Sequence, residues 1–410
     1  MVSKSERLIE LESQYGAHNY HPLPVVLEKG EGVYLWDVNG KKHFDFLSAY
    51  SAVNQGHCHP KIIKALTDQA QKLTLTSRAF YNDQLGVFEE FVTKLFGYDK
   101  VLMMNSGVEA VETGLKLCRK WAYEVKGIPE DKAKIIFAGE NFHGRTLAII
   151  SASTDPVSRT GFGPYMSGFE VIPYNDLSAL EDLILEDPFI AGFIVEPIQG
   201  EAGVKVPDKG YLAKAHQLCK DANVLFIADE IQTGIARTGK MLCVDHAGIK
   251  PDIVLLGKAL SGGVLPVSAV FANNEIMLTI KPGEHGSTFG GNPLACVVAK
   301  AALEVVLEEK LADRAEEMGD LFRSEIQKLV DSSDLVTLVR GKGLLNAIEI
   351  NTDEKSSLAW EICLKLRDNG LLAKPTHGNK IRFAPPLVIT KEQILESTAI
   401  IRDTILSFEN

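Results

Sequence analysis

Short runs of apolar residues, each ending in a turn or charged residue, recur through the middle of the chain. Examples are VLMM, KIIFA, AGFIV, VLFIA and IVLLG. Continuous Val, Ile, Leu and Phe runs of this length are typical of strands buried on both faces. Amphipathic stretches separate them from residue 100 to 260, and this alternation predicts a parallel α/β sheet with right-handed crossovers. The following run, PVSAVFA, predicts a further strand, which could be an antiparallel edge.

The start of the chain has a different pattern. Residues 5–15 predict a short helix. Alternating apolar residues then flank an Asn39–Gly40 dipeptide, and this combination predicts a β-hairpin. We therefore expect an N-terminal segment with a small sheet over residues 1–50.

The last quarter of the chain predicts a second domain. A long helix is expected from Pro293, ending in charged residues near Arg314–Glu317. After residue 330, short strands alternate with helices in an α+β pattern. The boundary is placed near residue 300, which gives a large domain over 51–299 and a small C-terminal α+β domain over 300–410.

Two neighbouring strand ends carry an acid and an amine. The run VLFIA ends at Asp229 and Glu230, and IVLLG ends at Lys258. Ligands of open α/β sheets bind beyond the carboxyl ends of the strands. A lysine there could form a Schiff base with a carbonyl cofactor, and the aspartate could keep a pyridinium nitrogen protonated. A buried Asp–Lys ion pair that only shapes the core is the alternative.

Three loops carry further candidates. The turn Asn105–Gly107 joins a strand to a helix, where free N–H groups and the helix dipole favour a phosphate. The glycine-rich stretch 283–296 could be a second phosphate-binding loop. Between them, Phe142 could stack on a planar ring and Arg145 could bind a carboxylate. The alternatives are an ordinary turn, a flexible interdomain loop, a core phenylalanine and a surface arginine.

Composition excludes several classes of function. The 410 residues carry a net charge of −11, which argues against a nucleic-acid or anionic-membrane partner. No apolar stretch approaches the ~20 residues of a membrane span. The six cysteines are scattered without metal-ligand spacing, so no metal site is expected. The first residues lack the apolar core of a signal peptide. A cytoplasmic protein is expected, and a mitochondrial matrix protein whose presequence has been removed stays open.

Considered together, the motifs identify a family. They are SGVEA at 106–110, NFHGRT at 141–146, EPIQG at 196–200, DEIQTG at 229–234, KAL at 258–260 and GSTFGG at 286–291. This ordered set resembles the class III pyridoxal phosphate-dependent aminotransferases of fold type I over essentially the whole chain.

The resemblance implies an architecture, a cofactor and a homodimer. The large domain would hold a mainly parallel seven-stranded sheet, with a smaller α+β C-terminal domain. Lys258 and Asp229 would be catalytic, as the Schiff-base lysine and the partner of the pyridinium nitrogen. Ser287 and Thr288 would come from the partner subunit of a homodimer with shared active sites, and a higher oligomer stays open. The remaining cofactor-binding residues would be Ser106, Gly107, Val108, Phe142, His143 and Gln232.

Further details, such as YGAHNYHPLP and RGKGLLNAI, are most similar to the members of the family that use ornithine. They imply transfer of the δ-amino group of ornithine to 2-oxoglutarate. Tyr20 and Arg145 would bind the α-carboxylate end, and Tyr50 would line the pocket. Glu201 would neutralise Arg382 while ornithine is bound and release it for 2-oxoglutarate. An acetylornithine or 4-aminobutyrate aminotransferase is the nearest alternative, and a non-catalytic scaffold protein is a more distant one.

Overall fold

The computed structural model describes residues 3–409. Residues 1, 2 and 410, which belong to the predicted N-terminal segment and small domain, lie outside the described residues. The strands, in chain order, are β1 (Leu27–Glu31), β2 (Tyr34–Asp37), β3 (Lys42–Asp45), β4 (Lys100–Met104), β5 (Lys134–Ala138), β6 (Phe169–Ile172), β7 (Ile190–Val195), β8 (Leu225–Asp229), β9 (Ile253–Leu256), β10 (Ser268–Ala272), β11 (Val336–Lys342), β12 (Leu345–Ile350), β13 (Leu371–Leu372), β14 (Lys374–Thr376) and β15 (Lys380–Phe383).

Helices cover the sheets and connect them. In chain order they are α1 (Lys4–Tyr15), α2 (Ser48–Ser51), α3 (Pro60–Ala70), α4 (Leu85–Phe96), α5 (Gly107–Trp121), α6 (Leu147–Ser151), α7 (Pro156–Arg159), α8 (Leu177–Glu186), α9 (Tyr211–Asp221), α10 (Asn274–Met277), α11 (Pro293–Glu308), α12 (Leu311–Val330), α13 (Leu358–Asp368) and α14 (Lys391–Leu406).

The central sheet has seven strands in the order β4-β10-β9-β8-β7-β5-β6. The pairs from β9 to β6 are parallel, which confirms the predicted parallel sheet. β10 is antiparallel to both of its neighbours, as the sequence allowed, but it does not lie at an edge. The predicted position at the edge of the sheet is wrong, because β4 pairs with the outer side of β10 and places Met104 opposite Ser268. The sequence pattern also missed β6, the opposite edge strand, where Val171 is exposed.

Burial explains the apolar runs. Every residue of β7, β8, β9 and β10 is buried, as expected for strands covered on both faces. α5 packs closely on this sheet, and a Cβ atom at Gly114 would lie 3.0 Å from the side chain of Leu255. This close packing places the first turn of α5 at the same sheet edge as the ends of β8 and β9.

The predicted N-terminal hairpin is confirmed. β2 and β3 are antiparallel, and Gly40 at the turn has a φ of +84°. The Asp37 carboxylate accepts hydrogen bonds from the N–H groups of Asn39 and Lys41, both at 2.9 Å. The sheet gains a fourth strand from far along the chain, because β13 pairs with β3 in parallel.

The small sheet has the order β11-β12-β15-β14 and its pairs are antiparallel. The single long helix predicted from Pro293 to about residue 315 is wrong. α11 ends at Glu308, and α12 starts at Leu311 after Lys310, which has a φ of +51°. A left-handed residue cannot continue a right-handed helix, so the chain turns there. Residue 300 lies inside α11, and the domain boundary near it stays a prediction.

No helix in the described part of the chain is long and apolar enough to cross a membrane.

Candidate active site

A cavity of about 190 Å³ opens at the carboxyl edge of the central sheet. Asp229 and Lys258 both line it, together with residues that follow β4, β5 and β7. The sequence therefore placed the acid and the amine correctly in one crevice. The full lining is Gly107, Val108, Phe142, His143, Gly144, Glu196, Ile198, Asp229, Ile231, Gln232, Thr233 and Lys258.

His143 binds Asp229 inside this cavity. Nδ1 of His143 lies 2.6 Å from Oδ2 of Asp229, and both side chains are buried. Burial opposes the protonated imidazole, but the hydrogen bond and charge of Asp229 outweigh that effect and raise the pKa of His143. The other oxygen of Asp229 accepts the Ile231 N–H at 3.1 Å. Asp229 is thus fixed in orientation by two donors.

Lys258 lies on a tight turn after β9, with a φ of +43°. Loss of hydration lowers the pKa of its ammonium, and the charge of Arg382 acts in the same direction. The carboxylates of Glu201 and Asp229 oppose this shift without reversing it. A lysine with a lowered pKa holds more of the free amine, which is the nucleophilic and basic form.

The turn Asn105–Gly107, called the phosphate turn below because it was predicted to bind phosphate, binds a carboxylate of its own chain. Ser106 caps α5, and the Glu109 carboxylate accepts hydrogen bonds from the N–H of Ser106 and from the N–H and side-chain amide of Asn105. The first N–H groups of a helix have no partner within it. This donor set suits a phosphate, and Gly107 and Val108 of the same turn line the cavity. The turn, the ring-sized cavity and the acid and amine at its far end fit pyridoxal phosphate.

The loop after β5 is fixed at three successive residues. The Asn141 side chain donates to the carbonyl oxygens of Ala138 and Ala152 at 2.6 and 3.1 Å. The Phe142 N–H donates to Glu196 at 3.1 Å, and His143 binds Asp229. The Phe142 ring is therefore held against the cavity, as a stacking role requires.

Five residues of the cavity lining were not predicted from the sequence: Gly144, Glu196, Ile198, Ile231 and Thr233. Burial raises the pKa of Glu196 to about 8, and its carboxyl positions the backbone of Phe142. Ile231 lines the same cavity. Glu196 ends an apolar run in the way that Asp229 does, and this shared pattern was the available signal for it.

The predicted pair Glu201–Arg382 is present. Nη1 of Arg382 lies 2.7 Å from Oε1 of Glu201. Gln232 connects the two, because it donates to Glu201 at 3.1 Å and accepts from Arg382 at 3.2 Å. Gln232 was predicted to bind the phenolic oxygen of the cofactor. In this structure its amide completes the ion pair, while its side chain still faces the cavity.

Tyr50 packs on this ion pair. The guanidinium carbon of Arg382 lies 4.9 Å from the centre of the Tyr50 ring. Burial raises the pKa of the Tyr50 phenol, and the charges of Glu201, Arg382 and Arg145 and the phenol of Tyr20 also act on it. The other four predicted substrate residues therefore all lie close enough to Tyr50 to influence its phenol.

An unusual backbone presents Tyr50. Ser48, Ala49, Tyr50 and Ser51 all have positive φ values between 46° and 70°, so α2 is a left-handed turn built without glycine. Such a turn costs roughly 1–2 kcal/mol per residue. The Asp45 carboxylate stabilises its start by accepting the N–H groups of Leu47 and Ser48 at 2.9 and 2.8 Å.

Tyr20 and Arg145 lie at the outer side of the site and are exposed. Arg145 is 5.7 Å from the centre of the Phe142 ring. Within residues 3–409 it forms no ion pair with an acidic side chain, which leaves its guanidinium available for a substrate carboxylate. Among the same residues, no cluster of His, Cys, Asp and Glu is placed to hold a metal ion.

Ser287 contacts the phosphate turn of its own chain. Its hydroxyl accepts from the Asn105 side chain at 2.7 Å, while Thr288 is exposed. Their predicted contribution from a partner subunit stays a prediction.

Comparison with known proteins shows one consistent likeness. A family model described as "Aminotransferase class-III" matches residues 15–405. The mitochondrial ornithine aminotransferase of Rattus norvegicus is 66% identical over 404 residues, which cover 98% of this chain and 91% of the rat protein. The crystal structure of the ornithine aminotransferase of Toxoplasma gondii superimposes with a TM-score of 0.97 at 50% identity, covering 99% of this chain and 96% of that one.

A third similar protein carries a different substrate in its name. The acetylornithine aminotransferase of Elizabethkingia anophelis is 62% identical, with a TM-score of 0.92, covering 99% of this chain and 100% of that one.

Proposed function

Because this chain belongs to the class-III aminotransferase family, we propose that it transfers the δ-amino group of ornithine to 2-oxoglutarate. It is an aminotransferase that depends on pyridoxal phosphate. The products are glutamate and glutamate-5-semialdehyde, which cyclises to pyrroline-5-carboxylate. The observation that carries the proposal is the ion pair between Glu201 and the buried Arg382, because the pocket is neutral there when the pair is closed and positively charged when it is open.

The cofactor, when bound, supplies a carbonyl that links to amines and a ring that takes up the charge of a carbanion. The Asp229 carboxylate would pair with the ring nitrogen, and His143 keeps that carboxylate oriented. Phe142 would stack on the ring, and the turn at Ser106, Gly107 and Val108 would bind the phosphate. These residues would hold the cofactor with its reactive side toward Lys258.

Lys258 has two tasks. Its amine binds the carbonyl group, and in its free form it takes the proton from the substrate carbon that bears the nitrogen. Burial supports both tasks because it lowers the pKa of the ammonium. The same amine then delivers that proton on the other side of the transferred nitrogen.

The ion pair explains how two differently charged substrates share the site. Ornithine has a second ammonium, which an unpaired Arg382 would repel. Glu201 removes that repulsion while ornithine is bound. When 2-oxoglutarate enters, its carboxylate replaces Glu201 on the guanidinium. Glu201 is the partner that moves, since its side chain is 24% exposed and that of Arg382 only 3%.

The opposite end of the pocket sets the direction of ornithine. Arg145 and Tyr20 bind its α-carboxylate end, so the terminal amine is directed toward Lys258. This orientation selects the δ-amino group for transfer.

The proposed active form is a homodimer with shared active sites. Large apolar side chains next to site residues remain exposed in the single chain, including Leu147 at 67% and Phe289 at 56%. Exposed apolar surface of this kind marks interaction sites. Leu147 follows the Arg145 loop and Phe289 follows Thr288, so a partner subunit that covered them would border the cavity.

The proposed location is the cytoplasm. The mitochondrial matrix is the alternative, because the similar rat protein is named as mitochondrial.

Acetylornithine is the second candidate substrate, since the similar Elizabethkingia protein is named for it. The deciding experiment compares the specificity constants of the purified enzyme for ornithine and N-acetylornithine, with 2-oxoglutarate as acceptor. Ornithine-dependent formation of pyrroline-5-carboxylate with a clear preference for ornithine supports the proposal. A preference for the acetylated substrate overturns it in favour of the second candidate.

A further inference from the structure

Arg340 binds the backbone of the loop that carries Glu201. This loop, Gly200–Val204, is called the gate loop below. Arg340 on β11 donates from Nε and Nη2 to the carbonyl oxygen of Gly203 at 2.9 and 2.7 Å. Its Nε also lies 3.1 Å from the carbonyl oxygen of Val204. One side chain therefore fixes two successive peptide groups.

Two other strands of the small sheet bind the same backbone. The Thr376 hydroxyl on β14 donates to the carbonyl oxygen of Glu201 at 2.6 Å. Arg382 on β15 donates to the carbonyl oxygen of Gly200 at 3.2 Å. Four of the five carbonyl groups of the gate loop are thus bound by small-sheet side chains.

The fourth strand contacts the gate loop through apolar packing. Val204 is fully buried. It belongs to one apolar cluster with Leu345 and Ala347 of β12. Every strand of the small sheet therefore takes part in holding this loop.

The gate loop needs this support because its backbone is strained. Val204 has a φ of +56°, a rare conformation for a β-branched residue. Neighbouring side chains also pack closely against its glycines. A Cβ atom at Gly203 would lie 2.6 Å from Cδ of Lys380, and one at Gly200 would lie 1.9 Å from Oε1 of Gln232. Strain of this kind persists only where the surroundings fix the backbone.

We propose that Arg340 is a specificity-determining positioning residue, which restricts the Glu201 switch to the rotation of one side chain. This inference rests on the proposed function. With a fixed backbone, Glu201 either pairs with Arg382 or rotates away from it as a carboxylate enters. A loose gate loop would leave Arg382 unpaired part of the time with either substrate. The enzyme would then distinguish ornithine less well from amino acids with one amino group.

The test compares the first half-reaction with ornithine and with glutamate, followed by the change in cofactor absorbance. In Arg340→Met, the ratio of the ornithine rate to the glutamate rate should fall about tenfold, because charged hydrogen bonds to the gate loop are lost. Arg340→Lys should give a smaller fall, since one ammonium cannot reproduce the planar fork. Arg340 also pairs with the Glu349 carboxylate at 3.1 Å. Thr337→Ala is the control, because Thr337 is exposed on the same strand and its hydroxyl donates only to the backbone carbonyl oxygen of Glu349, not to the gate loop.

A second readout does not depend on the cofactor. Hydrogen exchange of the segment 199–205 should become faster in cofactor-free Arg340→Met, because the backbone bonds between Gln199 and Lys205 lose their support. The control variant should leave this exchange unchanged.

A double variant separates positioning from a general structural role. In Glu201→Ala, adding Arg340→Met should not change the substrate ratio further, because no carboxylate remains to be positioned. A structural role alone would lower both rates by the same factor and leave the ratio intact. If Arg340→Met does not fold, Thr376→Val tests the same hold on the loop, with Thr376→Ser as its matched control.

The two proposals fail in different ways. If the wild-type enzyme does not accept ornithine, the proposed function fails. If it accepts ornithine but neither Arg340→Met nor Thr376→Val changes the substrate ratio, the role of Arg340 is overturned. The same holds if the ratio changes equally with and without Glu201.

Discussion

His143 donates a hydrogen bond from Nδ1 to Oδ2 of Asp229 across 2.6 Å, in a region from which solvent is excluded. This hydrogen bond and the one from the Ile231 N–H fix the orientation of the Asp229 carboxylate. The strength with which Asp229 can bind a ring nitrogen therefore depends on a neighbour that need not touch the cofactor itself.

Replacing His143 with Phe should lower kcat by roughly ten- to a hundredfold, because a charged hydrogen bond contributes about 1.5–3 kcal/mol. The cofactor absorbance of the variant should also change with pH in a different range from that of the wild type. His216→Phe serves as the matched control, because the His216 imidazole binds the backbone carbonyl oxygen of Lys250 and does not line this cavity. Unchanged kcat and an unchanged absorbance titration in His143→Phe would show that the pair only fills space.

Replacing Lys258 with Ala should abolish the lysine-dependent absorbance of protein reconstituted with pyridoxal phosphate. The side chain supplies the amine to which the cofactor carbonyl links. Lys205→Ala removes a lysine outside this cavity and should keep the yellow colour. A wild-type protein without lysine-dependent absorbance would favour a scaffold role over catalysis.

Removing the Glu201 carboxylate should exchange one substrate preference for another. Glu201→Ala leaves Arg382 unpaired, so glutamate should react about tenfold faster or more in the first half-reaction, while ornithine should react more slowly. Glu201→Gln keeps an acceptor but removes the charge, and it should lie between wild type and Glu201→Ala. Stopped-flow spectroscopy with each amino acid measures both rates, and an unchanged preference in both variants would refute the switch.

Glu196 should make the folded protein less stable as pH rises. Its pKa is raised from 4.5 to about 8 by burial, so between these values the folded state keeps a proton that the unfolded state has lost. Unfolding then becomes easier by about 1.4 kcal/mol per pH unit in this window. Relative to wild type, Glu196→Gln should therefore become progressively more stable from pH 5 to pH 8.

Urea denaturation at several pH values measures this difference in cofactor-free protein. For the control Glu181→Gln, on the exposed side of α8, the free energy of unfolding should depend on pH in the same way as in wild type. If Glu196→Gln also showed the wild-type pH dependence, Glu196 would be ionised in the folded protein at neutral pH.

Asp45 should matter for both stability and ornithine binding, because it caps the left-handed turn that presents Tyr50. Asp45→Ala should destabilise the protein by about 2–3 kcal/mol and raise the KM for ornithine. Asp37→Ala removes a similar cap from the N-terminal hairpin, and it should affect stability alone. A loss of stability in Asp45→Ala without a change in KM would separate the turn from the substrate.

The sequence pattern predicted those structural features that depend on residues close together in the chain, such as strand ends and turns. The ends of β8 and β9 placed Asp229 and Lys258 in one crevice because parallel strands finish at a common edge. The Asn39–Gly40 hairpin followed from a turn that requires a positive φ. The likeness to a known family then supplied the five substrate residues, and the other four all act on the phenol of Tyr50.

Features without a local signal were missed. The left-handed turn at Ser48–Ser51 and the break at Lys310 contain no glycine or proline, so tertiary packing must impose them. The position of β10 inside the sheet depends on its pairing with β4, a strand far earlier in the chain that places Met104 opposite Ser268. The bond between His143 and Asp229 likewise joins two segments that only the fold brings together.

The pairing of β13 with β3 has a consequence for biosynthesis. The first hairpin of the chain forms a complete sheet only with Leu371 and Leu372, so it waits for nearly the whole polypeptide to leave the ribosome. Until then its outer edge offers unpaired N–H and C=O groups that could join another nascent chain. The time before release from the ribosome is therefore the stage at which this edge can pair with another chain.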